Sequence, residues 1–146
     1  MFKHILLATD GSDASAHAAQ LAVDLARIHG ARLTALYVVD PYPYLGIGET
    51  NPMGFQAYMS AALDHAAQAH AKVAALCDKG GKPVQLALRM AQDVPAAEGI
   101  VAAAQEAQAD LIVVGSHGRS GLGRMLLGSV AGKVVAQSPL PVLVAR

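Results

Sequence analysis

Three glycines and a serine carry the clearest chemical signal in the chain. Gly115 and Gly118 stand two residues apart, and nine more residues precede Gly128-Ser129. The apolar run Leu111 to Val114 comes just before them, and a helix-like stretch, Val130 to Ala136, leads away. Strand, glycine-rich loop and helix together make a geometry that binds phosphate. Glycine lets backbone come close to an anion, and the N–H groups at a helix start point at it. Ser129 falls where an N-cap or first-turn hydroxyl would sit. Ser116, His117, Arg119 and Arg124 surround the loop with further polar groups. The plainer alternative is a surface loop between a strand and a helix; the spacing and both flanks favour the ligand. No Gly-Lys-Ser/Thr occurs, so this is not a P-loop, and no Gly-x-Gly-x-x-Gly follows a predicted strand.

Asp10 is the second candidate. It lies in Thr9-Asp10-Gly11-Ser12, directly after the apolar run Ile5 to Ala8. A carboxylate at a strand end can accept ribose hydroxyls or hold a metal; in a turn it also commonly bonds its own backbone. No catalytic set emerges. His65 and His70 are five apart and share no helix face, and no zinc-type spacing occurs. His70 and Cys77 read as packed core residues. Ser116 and Ser120 are not in a Gly-x-Ser-x-Gly elbow. No residue stands out as a base that would activate water.

The elements that must position these groups alternate. Ser12 is placed to cap a helix in which Ala18, Leu21, Ala22, Leu25 and Ile28 form one face, and Gly30 ends it. Leu33 to Val39 is a second buried strand. Asp40 to Gly54, rich in proline and glycine, reads as a long loop. The longest helix follows from about Phe55 to Asp78, with Met59, Leu63, Ala66, Ala67, His70, Val73, Ala74 and Cys77 on one face. Gly80-Gly81 stops it. Val84 to Met90 is a strand suited to an edge, and Pro95 starts the helix Ala96 to Ala107. Gly99 costs that helix about 1 kcal/mol relative to alanine. The motif strand, the loop, a helix from Ser129 to Gln137 and the strand Pro141 to Val144 complete the order βαβαβαβαβ. That order implies an α/β fold, a parallel sheet with helices on both faces, and a ligand crevice at the carboxyl ends of the strands.

Composition excludes several classes. The 146 residues are sized for one domain, 1–146, and 53% of them are apolar. Charged residues make up 15% with no net charge, which argues against a nucleic-acid groove or a basic membrane face. No apolar run is long enough to span a bilayer, and the N-terminus lacks a signal-peptide layout. The single Cys77 excludes an internal disulfide. The expectation is a soluble, cytoplasmic protein.

The chain resembles the ATP-binding members of the universal stress protein family over nearly its whole length. The resemblance rests on Ile-Leu-Leu-Ala-Thr-Asp-Gly-Ser at 5–12, Tyr37-Val38-Val39-Asp40, Ala109 to Gly115, the glycine spacing, and Ser138-Pro139-Leu140-Pro141-Val142-Leu143-Val144. It implies a Rossmann-like five-stranded sheet of order 3-2-1-4-5, which the pattern alone does not fix. It implies ATP, with Mg2+, as the cofactor. Ala8, Thr9, Asp10 and Val38 would form the adenine pocket, closed by Val114. Asp10 and Gly115 would face the ribose. Gly118, Gly128, Ser129 and Val130 would hold the phosphates, with Ser116, His117 and Arg119 beside them. It implies a homodimer through the C-terminal strand 141–145. Ala8 stands where several ATP-binding members carry proline, and Met90 to Asp93 lacks a glycine often found there. The expected role is a nucleotide-dependent regulatory module in the stress response. A slow ATPase, a self-phosphorylating enzyme and a binder of AMP or cyclic AMP remain the alternatives.

Overall fold

The computed structural model describes residues 1–40, 52–117 and 127–146. Five parallel strands form one sheet: β1 (His4–Ala8), β2 (Arg32–Val38), β3 (Leu86–Ala91), β4 (Leu111–Gly115) and β5 (Val142–Ala145). Their order is β3-β2-β1-β4-β5, as the resemblance implies, so β1 and β4 are neighbours. Ile5 pairs with Leu33 on one side and Leu111 on the other, which puts the carboxyl ends of β1 and β4 side by side. Four helices connect the strands: α1 (Asp13–His29), α2 (Pro52–Asp78), α3 (Ala96–Glu106) and α4 (Ser129–Gln137).

Alternate strand residues feed two core layers. Ile5, Leu7, Leu33, Ala35 and Val113 pack under Ala18, Ala22, Val23 and Ala26 of α1, with Val73 and Cys77 of α2. Leu6, Leu36, Ile112 and Val114 pack under Ile100 and Ala104 of α3 and Ala131 and Val134 of α4. Alanine dominates the helix contribution, and its small side chain lets helices lie close to the sheet.

Several local expectations hold. Ser12 caps α1, accepting from the Ser15 N–H, and Gly30 ends the helix in the left-handed conformation. Pro95 precedes α3 directly. Just after β3, Asp93 takes a φ of 57°. Aspartate tolerates that conformation better than most residues.

Other expectations shift. The expected loop from Asp40 to Gly54 ends early, because α2 begins at Pro52. Proline fits the first helical turn, where its missing N–H has no intrahelical acceptor to lose. Residues 41–51 of that loop lie outside the described residues. On α1 the inward face is Ala18, Ala19, Ala22, Val23 and Ala26, and Ile28 is 77% exposed. On α2 it is Ala62, Ala66, Ala69, His70, Val73 and Cys77, with Leu63 half exposed. Burial lowers the His70 pKa, opposed by the backbone carbonyls of Arg89 and Ala35. Burial raises that of Cys77 against the nearby Arg27. Gly99 fits a close approach rather than a flaw: a Cβ there would lie 2.9 Å from Val94 Cγ1, with Val38 Cγ1 at 3.6 Å.

Candidate nucleotide cleft

The first lip of the cleft is the turn after β1. The Thr9 N–H donates to Leu36 O at 3.0 Å, which carries the β1–β2 pairing past the strand end. Thr9 is buried; its Oγ1 accepts the Gly11 N–H at 3.2 Å and lies 3.3 Å from Ser15 Oγ. Asp10 Oδ1 accepts the Ser12 N–H at 2.9 Å and the Ser12 hydroxyl at 2.5 Å. Asp10 therefore makes the local turn bonds expected of an aspartate at this position, and these bonds fix the orientation of its carboxylate.

The second lip follows β4. The Ser116 N–H donates to Ala145 O, and the Gly128 N–H donates back to Ser116 O, both at 2.7 Å. Ser116 Oγ lies 3.0 Å from His117 Nδ1. A Cβ on Gly128 would stand 2.6 Å from Ser116 O. The glycine at 128 is thus required by the chain's own backbone, a stricter reason than room for a phosphate. Helix α4 begins at the next residue. A helix leaves its first N–H groups without intrahelical acceptors, and the N-cap Gly128 has no side chain to cap them. The first turn carries no acidic residue either.

Between the lips lies a cleft of about 510 Å3 at the carboxyl ends of β1, β2 and β4. Ala8, Thr9, Asp10, Val38, Val114, Gly115, Ser116, His117, Gly128, Ser129 and Val130 all line it. Gly118 and Arg119 lie outside the described residues. The lining has three parts. Leu36, Val38, Ala96, Ile100, Val114 and Ala131 make an apolar slot on the α3–α4 side. Thr9, Asp10, Ser15, Ser116, His117 and Ser129 make a polar middle. Tyr37, Val39, Asp40, Tyr58, Ala61, Ala62 and His65 make a third wall, mostly from α2. Sequence reasoning missed this wall, together with Ser15, Ala96 and Ile100. Among the described lining residues none is Lys or Arg, and the backbone N–H groups at the start of α4 offer partial positive charge toward an anion. Among the described residues no three His, Cys, Asp or Glu side chains group as a metal site, and no helix is long and apolar enough to cross a membrane.

The profile described as the Universal stress protein family matches residues 1–146. The chain belongs to that family. A universal stress protein of Thermus aquaticus is 43% identical over 147 residues, covering 100% of both chains. The solved universal stress protein UspA from Lactobacillus plantarum is 30% identical with a TM-score of 0.80, covering 99% of this chain and 97% of that one. Another universal stress protein, solved in complex with cAMP, is 27% identical with a TM-score of 0.67, again covering 99% and 97%. The five-stranded α/β sheet of this chain is the fold of these universal stress proteins.

Proposed function

We propose that the cleft binds an adenine nucleotide, ATP with Mg2+, and that the protein is a nucleotide-dependent regulatory module in the stress response. One observation carries the reading: an apolar slot, the Asp10 carboxylate and a helix start without a side-chain cap share one cleft at the strand ends. The parts match a nucleotide's own sequence of chemistry. The flat base goes to the slot between Val38, Ile100 and Val114. The ribose lies against Asp10 and Gly115. The phosphates meet the N–H groups that begin α4 at Ser129 and Val130, with Gly118 and Arg119 as the remaining contacts. Among the described residues, Asp10 and Asp40 are the carboxylates lining the cleft. Mg2+ commonly takes one or two carboxylates together with substrate phosphates, so the donor set fits it.

The relative solved with cAMP supports the adenine reading and keeps a second one, AMP or cyclic AMP, in play. The test is direct. The purified protein is denatured and any released nucleotide is identified by chromatography. ATP is expected; AMP or cyclic AMP would favour the second reading, mostly ADP would favour slow turnover, and no nucleotide with no measurable affinity would sink all of them.

We also propose that two copies pair through β5. Its Val142, Leu143 and Val144 are half-buried, and it pairs with β4 alone in the sheet of one chain. An apolar edge strand with open backbone groups is a hazard unless paired or covered. The simplest cover is the same strand of a second copy across a two-fold axis. Light scattering at micromolar concentration should give a dimer mass. A dimer that survives Val142→Asp with Val144→Asp would place the interface elsewhere.

A further inference from the structure

We infer that Lys72 on α2 is a positioning residue for the nucleotide: it grips the turn that carries Asp10. Its Nζ donates to Gly11 O at 2.5 Å, across 61 residues of chain. The same turn is pressed against α2 one helical step away. Gly11 has φ of 74°, and a Cβ there would lie 2.9 Å from Ala69 Cβ. Ala69 and Lys72 are three apart and share a helix face. The turn is thus seated on Ala69 and tied by Lys72.

The Gly11 residue is then fixed on both sides. Its N–H donates to Thr9 Oγ1, and its carbonyl accepts from Lys72. Asp10 immediately precedes it, with its carboxylate bound to Ser12 within the same turn. A shift of Gly11 carries Asp10 with it. The helix that does this also reaches the end of β2, where the Tyr58 hydroxyl donates to Asp40 O at 2.6 Å. Between these two ties α2 exposes Ala61, Ala62 and His65 to the cleft. One helix therefore spans both strand ends, and its position sets where the ribose carboxylate stands. The ordinary alternative is a surface lysine satisfying a carbonyl; the close seating of Gly11 on Ala69 is what that alternative leaves unexplained.

The inference rests on the nucleotide reading, with Asp10 at the ribose. Calorimetry on the wild type, Lys72→Met, Lys72→Arg and Asp10→Ala with ATP, adenosine and 2′-deoxy-ATP separates the two. Lys72→Met should weaken ATP and adenosine by the same factor, a few-fold and no more than Asp10→Ala does, because the bond it removes is to Gly11 and reaches the nucleotide only through Asp10. It should weaken 2′-deoxy-ATP less, and Lys72→Arg should restore ATP binding. Loss for ATP with none for adenosine would make Lys72 a phosphate contact and overturn the inference. Unchanged affinity in Lys72→Met, while Asp10→Ala still loses more affinity for ATP than for 2′-deoxy-ATP, would overturn the inference alone. Equal losses in Asp10→Ala for ATP and its deoxy form would remove the ribose contact, and the inference with it.

Discussion

Helices α1 and α4 follow neighbouring strands at the same end of the sheet, yet they begin in opposite ways. At α1 the Ser12 hydroxyl accepts the Ser15 N–H, and Asp13 puts a negative charge in the first turn. At α4 the N-cap is Gly128, with no side chain and no acidic residue after it. Glycine at an N-cap costs a helix only about a few tenths of a kcal/mol relative to serine, so α4 forgoes a small gain that α1 takes. The difference separates structure from site. The α1 start is completed by its own sequence, whereas no side-chain cap closes the α4 start among the described residues, and in the proposed reading a phosphate completes it. The two turns are also bound differently. The α1 turn closes on itself through Asp10 and Ser12, while the α4 entry is strapped to Ser116 by one backbone bond.

The strongest way to break this contrast is Gly128→Val. Its Cβ would meet Ser116 O at 2.6 Å, and Ser116, whose N–H donates to Ala145 O on β5, has little room to move. The strap should give way and the α4 start should swing out of line. Calorimetry should then detect no ATP binding, and stability should fall by about 1–3 kcal/mol, the usual cost of overpacking. Wild-type affinity in this variant would show that the α4 start is not where phosphate binds.

Ser129→Asp would sharpen the contrast by giving α4 what α1 has. A carboxylate in the first turn should stabilise the ligand-free protein by about 0.3–1 kcal/mol. The same charge should repel phosphates and lower ATP affinity by roughly tenfold, about 1.4 kcal/mol. Stability and affinity moving in opposite directions is the signature to look for in melting curves and titrations. A variant that binds ATP as the wild type does would mean the helix start faces no anion.

Asp10→Ala tests the other lip and should have a smaller effect. It removes the carboxylate that accepts from Ser12, and ATP affinity should fall by a few-fold to about tenfold. Deoxy-ATP should lose less, because the deoxy form already lacks a ribose hydroxyl. Equal losses would assign Asp10 to the turn alone.

The two helix starts also mark what was legible in the sequence. Ser12, Gly30 and Pro95 act through local geometry, and the structure puts each where its chemistry requires. The glycine spacing and the end of β1 located both lips, since strand-end residues in a parallel sheet meet wherever the strands do. The α2 wall was not legible. Tyr58, Ala61, Ala62 and His65 reach the cleft only because α2 crosses the end of β2, a tertiary fact with no local signature. Helix faces were read one residue off, at Ile28 and Leu63, because alanine occurs all round α1 and α2 and gives little contrast. The α2 start was misplaced for a related reason: Pro52 and Gly54 read as breakers, although proline is at home in a first turn. Gly128 was identified, but its cause was a backbone contact to Ser116 that spacing could not reveal.

The smallest effect is expected at titratable groups that do not line the cleft. His4 Nε2 lies 2.8 Å from Thr34 Oγ1, and Asp110 accepts the N–H groups of Lys3 at 2.8 Å and His4 at 3.1 Å. Burial holds the His4 pKa below 6.5, helped by Arg32 and opposed by the Ala107 carbonyl and Asp110. Burial does the same to His70 beneath α2. Both histidines are therefore neutral in the fold at a pH where the unfolded chain already binds the proton. Their contribution to stability is complete above pH 6.5 and is lost as pH falls through their folded values. Asp110 acts in a separate window: burial raises its pKa, but the N–H bonds from Lys3 and His4 outweigh that and hold it below 3.8. Its contribution is present above 3.8 and is lost only as pH drops through its folded value. Melting temperature should thus be level from pH 8 to pH 7 and should decline as pH falls below 6.5. His70→Leu should remove its share of that decline while leaving the residues that line the cleft untouched. A melting temperature that stays level from pH 7 to pH 5 would mean that neither histidine is held neutral by the fold.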